Sequence, residues 1–139
     1  MNEVLRGYNW IRAQLLASSE LVAAAPGGVW ADVAPADTLA PWVIMTNQAS
    51  PDVSNVSGIR LWTKATFQVV AYGPASSDAT LTAIADLIDT QLHRQHGATG
   101  DAYVNSCVRQ SAIALGELRQ DGVLWQRQGG FYVLEIYAL

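Results

Sequence analysis

The sequence predicts an α+β fold: a mixed or antiparallel sheet of about four to five strands, with an N-terminal helix and a main helix packed on it. Three observations predict it. Residues 61–72 alternate apolar and polar side chains, stop at Gly73-Pro74, and give way to Ser76-Ser77-Asp78 and an amphipathic helix. Residues 42–46 form a continuous apolar run, the pattern of a strand covered on both faces. Near the C-terminus, two strand-like runs flank a Gln120-Asp121-Gly122-Val123 hairpin signal.

Taken in order, Asn2 is placed to cap a first helix over about 3–17. Leu5, Tyr8, Ile11, Arg12, Leu15 and Leu16 fall close to one stripe, and Trp10 falls off it. Ser18 or Ser19 interrupts, residues 20–24 make a second short helical turn, and Pro26-Gly27-Gly28 ends it. Residues 29–33 read as a short strand, 34–38 as a loop, and 42–46 as a central strand. Residues 47–59 are polar, contain Pro51 and Gly58, and read as a long mobile connection. Such a loop can be functional, here as an arm reaching a neighbouring subunit, or simply be surface chain.

In the 61–72 strand, Ala65, Phe67, Val69 and Ala71 are expected to face the helix, with Lys64, Thr66, Gln68 and Val70 opposite. The helix is expected over about 78–93. Ser77 is its N-cap, Asp78 sits on its positive end, and Leu81, Ile84, Ala85, Ile88 and Leu92 form its buried stripe. Gly97 and Gly100 bracket an exit loop, and residues 103–115 form a long strand. Gly129-Gly130 predicts a bulge or bend in the return. Tyr132, Leu134 and Ile136 of the last strand are expected in the core, because Glu135 lies opposite.

The 139 residues fit a single domain, 1–139, and half of them are hydrophobic, enough for a real core. Charged residues are 14 % of the chain, against about 25 % in an average soluble domain. With five Trp and five Tyr, this means either that a partner covers some surface or that the sequence is merely rich in alanine. The net charge is −4 and the Lys and Arg residues are scattered. Phosphate binding needs clustered cations, so direct nucleic-acid binding is not expected. A surface that DNA merely slides past can be neutral or acidic. Cys107 is the only cysteine, which excludes an intrachain disulfide. No basic segment followed by an apolar stretch opens the chain, and no apolar run approaches the roughly 18 residues that span a membrane. A soluble protein with no membrane partner, made in a reducing cytoplasm, is expected.

Few residues could carry chemistry. His93 and His96 are three apart, with Asp89 one turn earlier, but no further ligand follows at a metal-site spacing. A histidine near a helix C-terminus is also favoured by the dipole alone. Asp86 and Asp89 would need a desolvated cleft for acid–base work, and otherwise form a solvated helix face. Cys107 would need a base to become a nucleophile, and otherwise is a small buried apolar residue. No catalytic, metal or cofactor site is expected. The tryptophans offer contact surface: Trp30 and Trp62 sit beside loops, while Trp42 and Trp125 lie in strand runs and are expected to be partly core. Each one singly can be core filling, but all five together are not expected to be. The candidate interface is Trp30, Trp62 and Trp125 together with Pro51, Asp52, Val53, Asn55 and Val56 of the 47–59 connection.

The order of elements resembles the tail-completion or tail-terminator proteins of long-tailed bacteriophages. Leu21-Val22-Ala23 leading to Val29-Trp30 looks like that family's helix-to-strand passage. Ala40-Pro41-Trp42-Val43-Ile44 looks like its proline–aromatic–aliphatic strand, and Phe67-Gln68-Val69-Val70-Ala71-Tyr72 with the following helix like its central pair. Gln120-Asp121-Gly122 with Tyr132-Val133-Leu134-Glu135-Ile136 looks like its closing hairpin. The resemblance covers nearly the whole chain and rests on arrangement, since the family has no signature motif. Trp62 and the long 47–59 connection depart from the pattern. The resemblance implies a non-enzymatic virion assembly protein of the tail or neck, assembled in the host cytoplasm. It implies a ring, typically a hexamer, that caps the tail tube protein and docks to the head–tail connector or stopper, with DNA passing through the lumen. Two alternatives stand beside it: a head-completion or head–tail joining protein of the neck, and a small ligand-binding or hydrolase-like domain using Cys107 or His93 and His96.

Overall fold

The computed structural model describes residues 2–139. It corrects the expected fold class: the chain is dominated by one curled mixed sheet of seven strands, a half-barrel, where four to five strands were expected. Helix α1 (Glu3–Leu16) and the short α2 (Ser19–Ala24) come first, followed by strands β1 (Val29–Ala31), β2 (Trp42–Ala49), β3 (Asp52–Ser54) and β4 (Arg60–Pro74). Helix α3 (Asp78–Leu92) follows, then β5 (Gly97–Thr99), β6 (Ala102–Leu118) and β7 (Leu124–Ala138). The sheet order is β1-β2-β4-β7-β6-β5, with β3 also paired to β4. Among the described residues only the β1–β2 pairing is parallel.

The extra strands come from segments without a buried face. Residues 47–59, expected as a loop, are the outer half of a long hairpin. β2 runs on to Ala49, a bulge intervenes, and β3 continues beside the start of β4. The Asn55 side chain makes the turn by accepting the amides of Ser57 (2.9 Å) and Ile59 (3.1 Å), with Gly58 at φ +79°. The Gly97–Gly100 segment contributes β5, a three-residue partner for the start of β6. Gly129 and Gly130 stay in register with Val70 and Val69, so β7 has no bulge there. The irregularities lie across from it, in β6 at 104/106 and 109/111.

All three helices lie on one face of the sheet. Asn2 Oδ1 accepts the Leu5 amide at 3.0 Å and caps α1. Ser77 does not cap α3 with its side chain; a 3-10 turn (Ala75–Ser77) leads in instead. Leu81, Ile84, Ile88 and Leu92 of α3 meet Ala65, Phe67, Val69 and Ala71 of β4 and Tyr132, Leu134 and Ile136 of β7, the sides that alternation assigned. Trp10 corrects the reading of α1. It is only 3 % exposed, while Leu5 and Leu16 on the expected stripe are half exposed. Helix α1 contacts β1, β4, β5, β6 and β7 as well as the other helices, so its apolar surface is wider than one stripe. A side chain at Gly7 would stand 2.5 Å from the Phe67 ring, and this close approach lets α1 lie flat on β4.

Candidate functional site

Asp89, His93 and His96, which could carry chemistry, are taken up by internal bonds. Asp89 Oδ1 accepts the Tyr132 hydroxyl at 3.0 Å and lies 3.6 Å from Arg109 Nε. His93 Nδ1 accepts the Arg109 amide at 3.0 Å, and the Arg94 amide donates to the Cys107 carbonyl at 2.7 Å. His96 pairs with the Tyr103 hydroxyl. Asp86 is exposed on the outer side of α3. Cys107 is wholly buried, and burial, helped by the nearby Asp89 charge, pushes its thiol up to about 12. Such a thiol holds its proton at neutral pH and makes a poor nucleophile. Among the described residues, no three His, Cys, Asp or Glu gather at metal-binding range. The group ties the C-terminal end of α3 to β6 and β7.

The other face of the sheet has a different character. Ile44, Val70 and Ile113 make a second small apolar cluster there, with Trp30, Ala34, Trp42 and Phe131 packed against it. Among the described residues no helix contributes to this face. Curling of the sheet leaves a hollow of about 300 Å³ between Lys64, Val108, Val133 and Glu135. A second hollow, of about 230 Å³, lies beside Trp42, Ile44, Tyr72 and Arg127. Trp42, Tyr72 and Trp125 stack at centroid distances of 4.9–5.5 Å, with the Trp42 indole N–H buried and without an acceptor. Arg119 lies 4.3 Å over the Trp125 ring, and Arg127 5.1 Å over Tyr72. The Tyr72 hydroxyl donates to Glu117 at 3.2 Å; burial first, then the Glu117 charge, raises its pKa. This cluster braces the root of an arm.

The arm is the far end of the β6–β7 hairpin. Residues 114–124 are exposed throughout, including Leu115, Leu118, Val123 and Leu124. The β3–β4 hairpin carries a second exposed apolar set, Val56, Ile59 and Leu61. The arms leave opposite ends of the sheet, because β4 begins beside one and ends beside the other.

The candidate interface residues divide between these places. Pro51, Asp52, Asn55 and Val56 are exposed on the β2–β3 side of the first hairpin, with Val53 half-buried opposite Trp62 on β4. Trp30 is half-buried at the β1 edge and donates to the Gly27 carbonyl at 2.7 Å. Trp125 sits in the aromatic cluster. The structure does not gather them into one patch. Sequence reasoning did not nominate the exposed end of the β6–β7 hairpin or the outer edge of β6. The uncharged run Ser111-Ala112-Ile113-Ala114-Leu115-Gly116 was the available signal, since a strand edge normally carries a charge or a proline.

A family model, tail completion protein gp17, matches residues 10–126. The chain belongs to that family. It is thus a structural protein of the phage tail and virion class, as the resemblance implied. The fold of this tail-completion protein recurs in a chain from a solved structure described as the virion of a native gene transfer agent particle. The two share 17 % sequence identity and a TM-score of 0.64, over 91 % of this chain and 92 % of the other. No protein of curated function matches the sequence.

Proposed function

We propose that this tail-completion protein is a tail terminator: a homo-oligomeric ring, of six copies, that caps the tail tube and offers its opposite face to the head–tail connector or stopper. Residues 1–139 act as one domain in it. DNA passes through the lumen without specific binding, and the ring belongs to the tail or neck of a particle assembled in the host cytoplasm. The mechanism is geometric. One ring face copies the docking surface of a tube subunit, and the other refuses further tube subunits.

Family membership carries this reading. Three features of the chain support it: a sheet face without helical cover, apolar arms at opposite ends of the sheet, and polar groups engaged in internal bonds. Trp30, Trp62, Trp125, Pro51, Asp52, Val53, Asn55 and Val56 are proposed contacts between neighbours or with tube and connector. Deleting the protein from a producing cell is expected to give tails of irregular length that fail to join heads. Tails of uniform length that merely fail to join would assign it to head–tail joining instead. Uniform, head-joined tails would refute both.

A further inference from the structure

The two outer edges of the sheet are finished differently. On the β2 side, the Asp32 amide donates to the Met45 carbonyl at 2.8 Å, and the Asn47 amide donates to the Tyr8 hydroxyl at 2.7 Å. Along β2 and β3 themselves, residues 48–54 are left without an outer partner among the described residues. Pro51 does not blunt this stretch: its carbonyl accepts the Lys64 amide, so the donor it lacks belongs to the β4 side. On the β6 side, β5 covers residues 102–104, and the chain around His93 and Arg94 covers Cys107 and Arg109. Residues 111–118 pair with β7 alone, and no described group reaches their outer backbone. Edges of this kind are templates for another strand and are usually blunted by charge, proline or cover. Here the eight residues hold one charge, Glu117, and no proline.

We propose that residues 111–118 of β6 receive residues 48–54 of a second copy of this chain as an added antiparallel strand. The inference rests on the ring reading and says how neighbours join. Strand direction supports this occupant. β2, β4, β7 and β6 alternate in direction, so carrying the sheet from β6 of one copy to β2–β3 of the next continues the antiparallel order. Charge supports it as well. The only charge in 48–54 is Asp52, and antiparallel pairing sets it near Ile113, away from Glu117. Each copy has one free stretch of each kind, so the contact is head-to-tail and generates a ring when its rotation closes. The stretches lie at opposite ends of the sheet. Leu115 is level with Arg127, Tyr72 and Trp42, whereas Asp52 is level with Thr63, Ile136 and Val104. Neighbours are therefore displaced along the strands, and a closed ring requires strands inclined to its axis.

The test uses the whole chain with purified tail tubes of its particle. Gly116 has room for a side chain, the nearest atom being Leu124 Cδ1 at 3.7 Å. Gly116→Lys is expected to keep the circular dichroism and melting temperature of the parent while losing ring formation on tube ends. In a second arm, Ser111→Cys is combined with Ser54→Cys or Asn55→Cys, and mild oxidation is expected to give a covalent ladder ending at the copy number of the ring. Ser111→Cys with Gln48→Cys is expected to give none. Rings that assemble normally with Gly116→Lys, or that oxidation never locks through 54 or 55, would overturn the strand pairing and leave the ring reading intact. Failure of the parent chain to form any ring on tubes would overturn both.

Discussion

Cys107 and Tyr132 are closed off from solvent beneath α3, and this gives the protein an alkaline limit. Burial raises the pKa of both groups, with Asp89 adding to each. The folded chain therefore keeps protons that the unfolded chain releases, first from the thiol above its ordinary pKa of 9.0 and then from the phenol above 10.0. Stability is fully present below pH 9 and falls as pH rises from 9 towards 12, by up to about 1.4 kcal/mol per pH unit for each group engaged. Urea midpoints at pH 8, 10 and 11 are expected to drop in that order, and Cys107→Ala is expected to flatten the first part of the fall. A parent chain with constant midpoints over that range would refute the account. Gly129 makes a second test. A side chain there would run into the Val69 carbonyl oxygen and stand 2.8 Å from Val70 Cα, both main-chain atoms of the adjacent strand. Gly129→Ala is expected to cost at least about 2 kcal/mol, whereas Gly116→Ala should change stability by less than about 0.5 kcal/mol. Equal effects in chemical denaturation would contradict the close β4–β7 approach.

At the scale of elements, the two main helices begin in different ways. Asn2 satisfies the Leu5 amide with its side chain, whereas Ser77 makes no such bond. Asn2→Ala is expected to lower stability by about 1 kcal/mol, and Ser77→Ala by less than about 0.5 kcal/mol. A comparable loss at Ser77 would show that it caps α3 after all. The same contrast shows how far the sequence was legible. Alternation placed β4 and β7 and their inward residues correctly, because one face of each is buried against α3 and the other is not. It missed the β3–β4 hairpin because residues 47–59 bury almost nothing. An exposed hairpin held by a side-chain turn at Asn55 leaves no apolar period to read. It missed β5 because three residues of Gly-Ala-Thr carry no pattern. Trp10 was misplaced because α1 touches the sheet and α3 together, so the position beside its stripe is also buried. The interface residues could be nominated by type, but their separation onto one arm, the β1 edge and an aromatic brace is a property of the sheet, not of local sequence.

At the scale of the whole molecule, low charge and exposed leucine and valine on two arms are hard to reconcile with a chain that works alone. The curled sheet gives a family member of this kind one helix-backed face, one open face and two unequal edges. The proposed ring would use such asymmetry, since a head-to-tail contact needs two different surfaces on each copy. The most direct test of the central claim is the mass of the protein by light scattering, measured across concentrations and again with purified tail tubes. A closed ring of about six copies, either free or formed at tube ends, is expected. A chain that remains a monomer at every concentration and leaves tube ends uncapped would contradict it.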